Sequence, residues 1–132
     1  MTNSLAVPRK DQVQLELPAS PEYGRVGRIA AAHLGLRRGF SLHEIDDLRL
    51  VMDEAAVMLL GPGLLAERLE ITYTIEGDML YVDARVASEA DVALPMERID
   101  RFDELVGDLV DNYEIDAAAR RLTFSKGRSA SN

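Results

Sequence analysis

The sequence predicts an α+β fold built as a two-layer sandwich, a mixed, mainly antiparallel sheet with helices on one face. Three observations carry that expectation. Segments 68–75 and 80–86 alternate apolar and polar residues on either side of Glu76-Gly77-Asp78, the pattern of a β-hairpin. Segments 21–36 and 42–60 instead repeat apolar residues at three- and four-residue steps, the pattern of consecutive helices. Finally, 132 residues of which 47% are hydrophobic can bury one real core and leave little room for a second.

The elements follow in order along the chain. Residues 1–11 contain Pro8 and several polar residues and are expected to be disordered. Val13, Leu15 and Leu17 alternate with Gln12, Gln14 and Glu16 as a half-buried strand. Ser20-Pro21 then reads as an N-cap followed by proline at the first helical position. The helix that follows runs to about Leu36, with an expected inward stripe of Val26, Ile29, Ala30, His33 or Leu34, and Leu36. Gly24 and Gly27 each weaken it by roughly 1 kcal/mol relative to alanine, and Gly39 closes the connection.

Ser41 and Glu44 have capping-box spacing at the head of a second helix, 42–60. Ile45, Leu48, Met52, Ala55 and Leu59 form its inner stripe, and Gly61-Pro62-Gly63 stops it. After the hairpin, residues 88–95 form an acidic loop ending at Pro95. A third helix spans about 97–110, with Ile99, Phe102, Leu105 or Val106, and Leu109 inward. A last strand pair is expected near 112–115 and 121–125. Residues 12–126 are thus expected to be a single domain, and 127–132 a disordered tail.

Composition narrows the chemistry. The chain has no cysteine, which removes disulfides, thiolate metal sites and thiol nucleophiles, and its two histidines, His33 and His43, argue against a histidine-rich metal site. The first ten residues lack the apolar core of a signal peptide, and no apolar run reaches the ~20 residues of a membrane span. A cytoplasmic protein with no membrane partner is expected. A net charge of −8 without a basic stripe excludes a nucleic-acid partner on electrostatic grounds. The same charge suits basic protein partners, or serves solubility alone.

Two segments resemble the anti-sigma factor serine kinases of the histidine-kinase-like ATPase fold. Ile45-Asp-Asp-Leu-Arg-Leu-Val-Met-Asp-Glu-Ala55 is similar to the helix in which that family carries Glu-Ala and, four residues after the Glu, an Asn. Pro21-Glu-Tyr-Gly-Arg-Val26 is similar to the start of its first helix. The element order matches over about residues 12–126. The resemblance implies that Glu54 occupies the position that supports phosphotransfer, and Met58 the position that ligates magnesium. A thioether is a poor ligand for a hard ion that demands oxygens. The family's adenine-reading Asp-x-Gly-x-Gly is also missing, since residues 82–92 contain no glycine, and its glycine-rich lid has no counterpart, since only Gly107 and Gly127 follow Asp78. Phosphate cradles need glycine so that backbone N–H groups can converge.

The resemblance therefore implies a degenerate nucleotide site with Glu54 and Met58 vestigial, no bound cofactor and no metal. Glu54 reads either as a relic of the base or as a solvated helix residue, and Met58 as a core or interface filler. Arg25 is the candidate for partner binding, because its family counterpart touches both the sigma factor and the antagonist that displaces it. Arg28 and Glu22, three residues to either side, can share its exposed face. Asp46, Asp47 and Asp53 read as a solvated helix face rather than a metal cluster.

The leading expectation is an anti-sigma factor that sequesters an alternative sigma factor, of the stress or sporulation type, until an anti-sigma antagonist releases it. The family resemblance also suggests a homodimer. The alternatives are an ATP-dependent serine protein kinase that phosphorylates its antagonist, and an α+β interaction module unrelated to sigma factors.

Overall fold

The computed structural model describes residues 10–61 and 66–129. Pro62 and Gly63 of the expected helix stop, most of the N-terminal segment, and the last three residues lie outside that range. The strands are β1 (Lys10–Pro18), β2 (Arg68–Glu76), β3 (Met79–Ala87), β4 (Asn112–Asp116) and β5 (Arg121–Gly127), and the helices are α1 (Gly24–Arg37), α2 (Leu42–Leu60) and α3 (Met96–Val106). The sheet order is β1-β2-β3-β5-β4, and every neighbouring pair is antiparallel, so the sheet is not mixed as expected. The α+β two-layer class itself holds.

Both outer boundaries extend past the expected ones. β1 begins at Lys10 and pairs there with Glu76, and β5 runs through Gly127. Among the described residues, no helix is long and apolar enough to cross a membrane.

Period-two patterning settles which side of the sheet is covered. Leu69, Ile71, Tyr73 and Ile75 of β2 and Leu80, Val82, Ala84 and Val86 of β3 are buried against the helices. Between them, Gly77 at φ +60° makes the tight turn that a side chain would strain. The opposite face is polar. Gln12, Gln14, Thr72, Thr74, Asp83, Arg85 and Arg121 stand on it, and Arg85–Glu70 (2.9 Å) and Arg121–Asp83 (2.6 Å) bridge adjacent strands.

Helix α1 faces the other way from expectation. Its buried residues are Gly24, Gly27, Ala31 and Gly35, while Val26, Ile29 and Leu36 are exposed and His33 is exposed with them. Close approach is the reason. A Cβ on Gly24 would lie 2.9 Å from the Ala56 methyl, one on Gly27 2.9 Å from Ile71 Cδ1, and one on Gly35 3.0 Å from Leu48 Cδ1. The small residues let the α1 backbone sit directly on α2 and the sheet, and the Tyr73 hydroxyl donates a 2.7 Å hydrogen bond to the Gly27 carbonyl. Burial pushes that phenol's pKa up. The start of α1 also differs. Ser20 makes no side-chain cap, a short 3-10 turn at Pro21–Tyr23 leads in, and the Ser20 hydroxyl donates to Glu22 instead.

The head of α2 is as expected. Glu44 N donates to Ser41 Oγ (3.1 Å), and Ser41 N donates to Glu44 Oε1 (2.8 Å). Ser129 N donates to the second carboxylate oxygen at 2.8 Å. Burial alone would raise the pKa of Glu44, but the bonds from Ser41 and Ser129 outweigh it and hold the group at about 2, below 4.5. A depressed carboxylate contributes stability above its unfolded pKa and loses it as pH falls through the folded value. Glu44→Gln is therefore expected to destabilise the protein at neutral pH, with the gap to wild type closing between about pH 4.5 and about pH 2. Urea melts across that window test this, and a gap that stays constant down to about pH 2 refutes it.

Candidate functional site

The features singled out from the sequence fall into two places on the helical layer. The first lies between α2 and α3. Met58 is 1% exposed and belongs to the main core with Leu59, Phe102, Val106 and Leu122. Its sulfur is packed among hydrocarbons, so the position where the resemblance places a magnesium ligand offers no oxygen and no water-facing atom. Glu54, one turn earlier, is neither solvated nor free, because its carboxylate accepts a 3.0 Å hydrogen bond from Arg101 Nε of α3, with the Glu54 side chain 19% exposed. Arg98 of the same helix packs against Gly61, where an added Cβ would stand 2.5 Å from Arg98 Nη1.

The loop after β3 closes the arrangement. Leu94 is buried, and its N–H bonds the Ala117 carbonyl at 3.0 Å. Nearby, the Arg120 guanidinium is buried, and burial followed by the charge of Arg98 lowers its pKa. At the two positions that the resemblance assigns to metal and phosphotransfer, the structure thus has a buried thioether and a carboxylate paired with an arginine.

The sequence reading missed Arg98 and Arg101. Their three-residue spacing around Ile99 put them on the flanks of the α3 stripe, which was the available signal.

The second place is the groove between the start of α1 and the end of α2. It has a volume of about 340 Å³ and is lined by Pro21, Gly24, Arg25, Arg28, Asp53, Ala56, Val57 and Gly61. The close packing of Gly24 on Ala56 sets its floor. Arg28 lines the same groove as Arg25, with its guanidinium turned to α2 and paired with Asp53 at 3.2 Å. Arg25 is exposed on the rim and makes no ion pair among the described residues. It is also the second residue of α1, where the positive end of the helix dipole disfavours a cation by about 0.3–1 kcal/mol. Glu22 is exposed just before the helix.

The three aspartates of α2 do not converge. Asp46 pairs with Arg49 (3.6 Å), Asp53 with Arg28, and Asp47 with Lys126 (3.6 Å), whose ammonium also donates to the Leu109 carbonyl. Asp47 and Lys126 are mostly buried, so this pair ties β5 to α2 rather than forming a solvated face.

No family model matches the chain. It is similar to proteins named serine-protein kinase RsbW. The relative from Listeria monocytogenes serotype 4a is 33% identical over 75 residues, covering 54% of this chain and 48% of the relative. The one from Bacillus subtilis is 26% identical over 89 residues, covering 57% and 56%. The one from Oceanobacillus iheyensis is 24% identical over 125 residues, covering 80% and 78%. The chain spans about half the length of the first of these relatives. The likeness bears out, at the level of the family, the resemblance read from residues 21–26 and 45–55.

Proposed function

We propose that this protein is an anti-sigma factor that works by binding alone: it sequesters an alternative sigma factor in the cytoplasm and is released by an anti-sigma antagonist protein. One contrast carries the reading. The two positions that phosphotransfer would need are spent on structure, Met58 in the core and Glu54 in an ion pair with Arg101. The position that partner binding would need, Arg25, stands exposed beside a groove and makes no ion pair among the described residues. Arginine in such a place suits a bidentate pair with a partner carboxylate. Residues 12–126 act as the single binding domain, with Arg25 as the anchor and Glu22 and Arg28 as its supports. The polar outer face of the sheet, with a shallow concavity of about 550 Å³, is available for a homodimer.

Affinity purification of the tagged protein from its own cells, read by mass spectrometry, tests the proposal. Recovery of a sigma factor supports it, and consistent absence of any sigma factor refutes it. A second measurement isolates the nucleotide claim. Millimolar ATP or ADP with magnesium is expected to leave the melting temperature unchanged within scatter, because a ligand that binds only the folded state must raise it.

The name shared by the relatives favours one second reading, a serine protein kinase acting on the antagonist. It predicts transfer of label from ATP to an antagonist protein and loss of that transfer in Glu54→Ala.

A further inference from the structure

Helix α1 presents to water the kind of residues that the rest of the fold buries. Val26, Ile29 and Leu36 are 41, 63 and 59% exposed, and His33 is exposed among them. Steps of three, four and three residues put these four on one side of the helix. The charge along this stretch is just as uneven. From Tyr23 to His43 the chain has four arginines and no aspartate or glutamate, in a protein of net charge −8. Asp53 offsets Arg28. Arg25 and Arg37 are exposed, make no ion pair among the described residues, and flank the apolar stripe on opposite sides near opposite ends.

We propose that this face docks an acidic amphipathic helix of a protein partner, its apolar side chains seated on Val26, Ile29 and Leu36 and its carboxylates reaching Arg25 and Arg37. The inference rests on Arg25 as a partner-binding residue and extends the contact from one side chain to the length of α1. Charge selects the occupant. A second copy of α1 would bring cations against cations with no carboxylate in the stretch to offset them. An anionic membrane would attract the arginines while repelling the strongly acidic remainder of the chain. An acidic helix satisfies both the apolar stripe and its flanks, in the helix-in-groove manner. Net charge alone points to basic partners; the docking face carries a positive balance and points the other way.

Two designed peptides of ~14 residues test it, both with leucines at three- and four-residue steps, one with glutamate and the other with lysine elsewhere. Amide chemical shifts of the isotope-labelled full chain report binding. The glutamate peptide is expected to perturb residues 23–37, to bind at least about tenfold tighter than the lysine peptide, and to weaken as salt rises. Ile29→Gln and Arg37→Glu are each expected to weaken it about tenfold at an unchanged melting temperature, since both side chains are exposed. Equal affinity for the two peptides, no binding of the glutamate peptide, or perturbation confined to other residues overturns the proposal. So does sedimentation with phosphatidylglycerol vesicles, or a dimer, that Ile29→Gln abolishes. A sigma factor recovered equally by wild type and Ile29→Gln would sink this inference and leave the proposed function standing. Peptide docking without a recoverable sigma factor would do the reverse.

Discussion

Met58→Asn, which places at this position the Asn of the family's helix pattern, is expected to lower the melting temperature by about 10 °C or more and to confer no nucleotide binding. The side chain it replaces is 1% exposed. Removing a buried methionine's contacts costs about 2–5 kcal/mol when the site cannot collapse. A carboxamide left there without partners adds about 1–3 kcal/mol. At about 2–4 °C per kcal/mol for a domain near this size, a loss of ~3–5 kcal/mol gives the stated shift. Magnesium would not rescue it, because Glu54 remains bonded to Arg101 and Leu94 remains folded onto Ala117. Thermal melts with and without magnesium and ADP decide the matter. A variant as stable as wild type that gains several degrees from nucleotide would overturn the binding-only reading.

Gly27→Leu is expected to cost about 3 kcal/mol or more. Even the first carbon of the new side chain would meet Ile71 Cδ1 at 2.9 Å, Met52 Cε at 3.2 Å and the Tyr73 hydroxyl at 3.4 Å. Overpacking alone costs about 1–3 kcal/mol. If α1 lifts away to make room, the Tyr73 hydroxyl loses its acceptor at Gly27 and is stranded in the interior, at about 1–3 kcal/mol more. Chemical denaturation measures the loss. A Gly27→Leu protein within 1 kcal/mol of wild type would show that α1 is not seated on its glycines. Ile29→Gln, two residues away on the outer face, serves as the control and is expected to change stability by less than about 0.5 kcal/mol.

The two helices that carry these positions also show where sequence reading succeeds and fails. Elements whose inner side is made of large apolar residues were legible, because burial of area dominates and leaves a period: β2 and β3 by alternation, α2 by its three- and four-residue steps. The Ser41–Glu44 capping box was legible because its chemistry is local, complete within four residues. The facing of α1 was not. There the deciding contact is between backbones, and the residues that permit it have almost no hydrophobicity of their own, so the pattern points to Val26, Ile29 and Leu36 as core when they are surface. Gly24, Gly27 and Gly35, counted as a cost to the helix, are its contact surface.

The candidate site divides in the same way. Met58 reads from the sequence as a core or interface filler because methionine packs irregular gaps, and Arg25 stands out only through the family resemblance. The Glu54–Arg101 pair does not, because it joins residues 47 positions apart across two helices and depends on how α3 lies against α2. The Asp47–Lys126 and Glu44–Ser129 contacts are hidden for the same reason.

The bond from Ser129 to Glu44 spans 85 positions of the chain, and it bears on how the molecule comes into being. A polypeptide emerging from a ribosome makes the second helix early, yet the carboxylate at that helix's head receives its third hydrogen bond only after residue 129 has been delivered. Contacts of such long range form late because the intervening loop must first be closed. Until then the head of the second helix is unfinished, and its final firmness waits on a residue far along the chain.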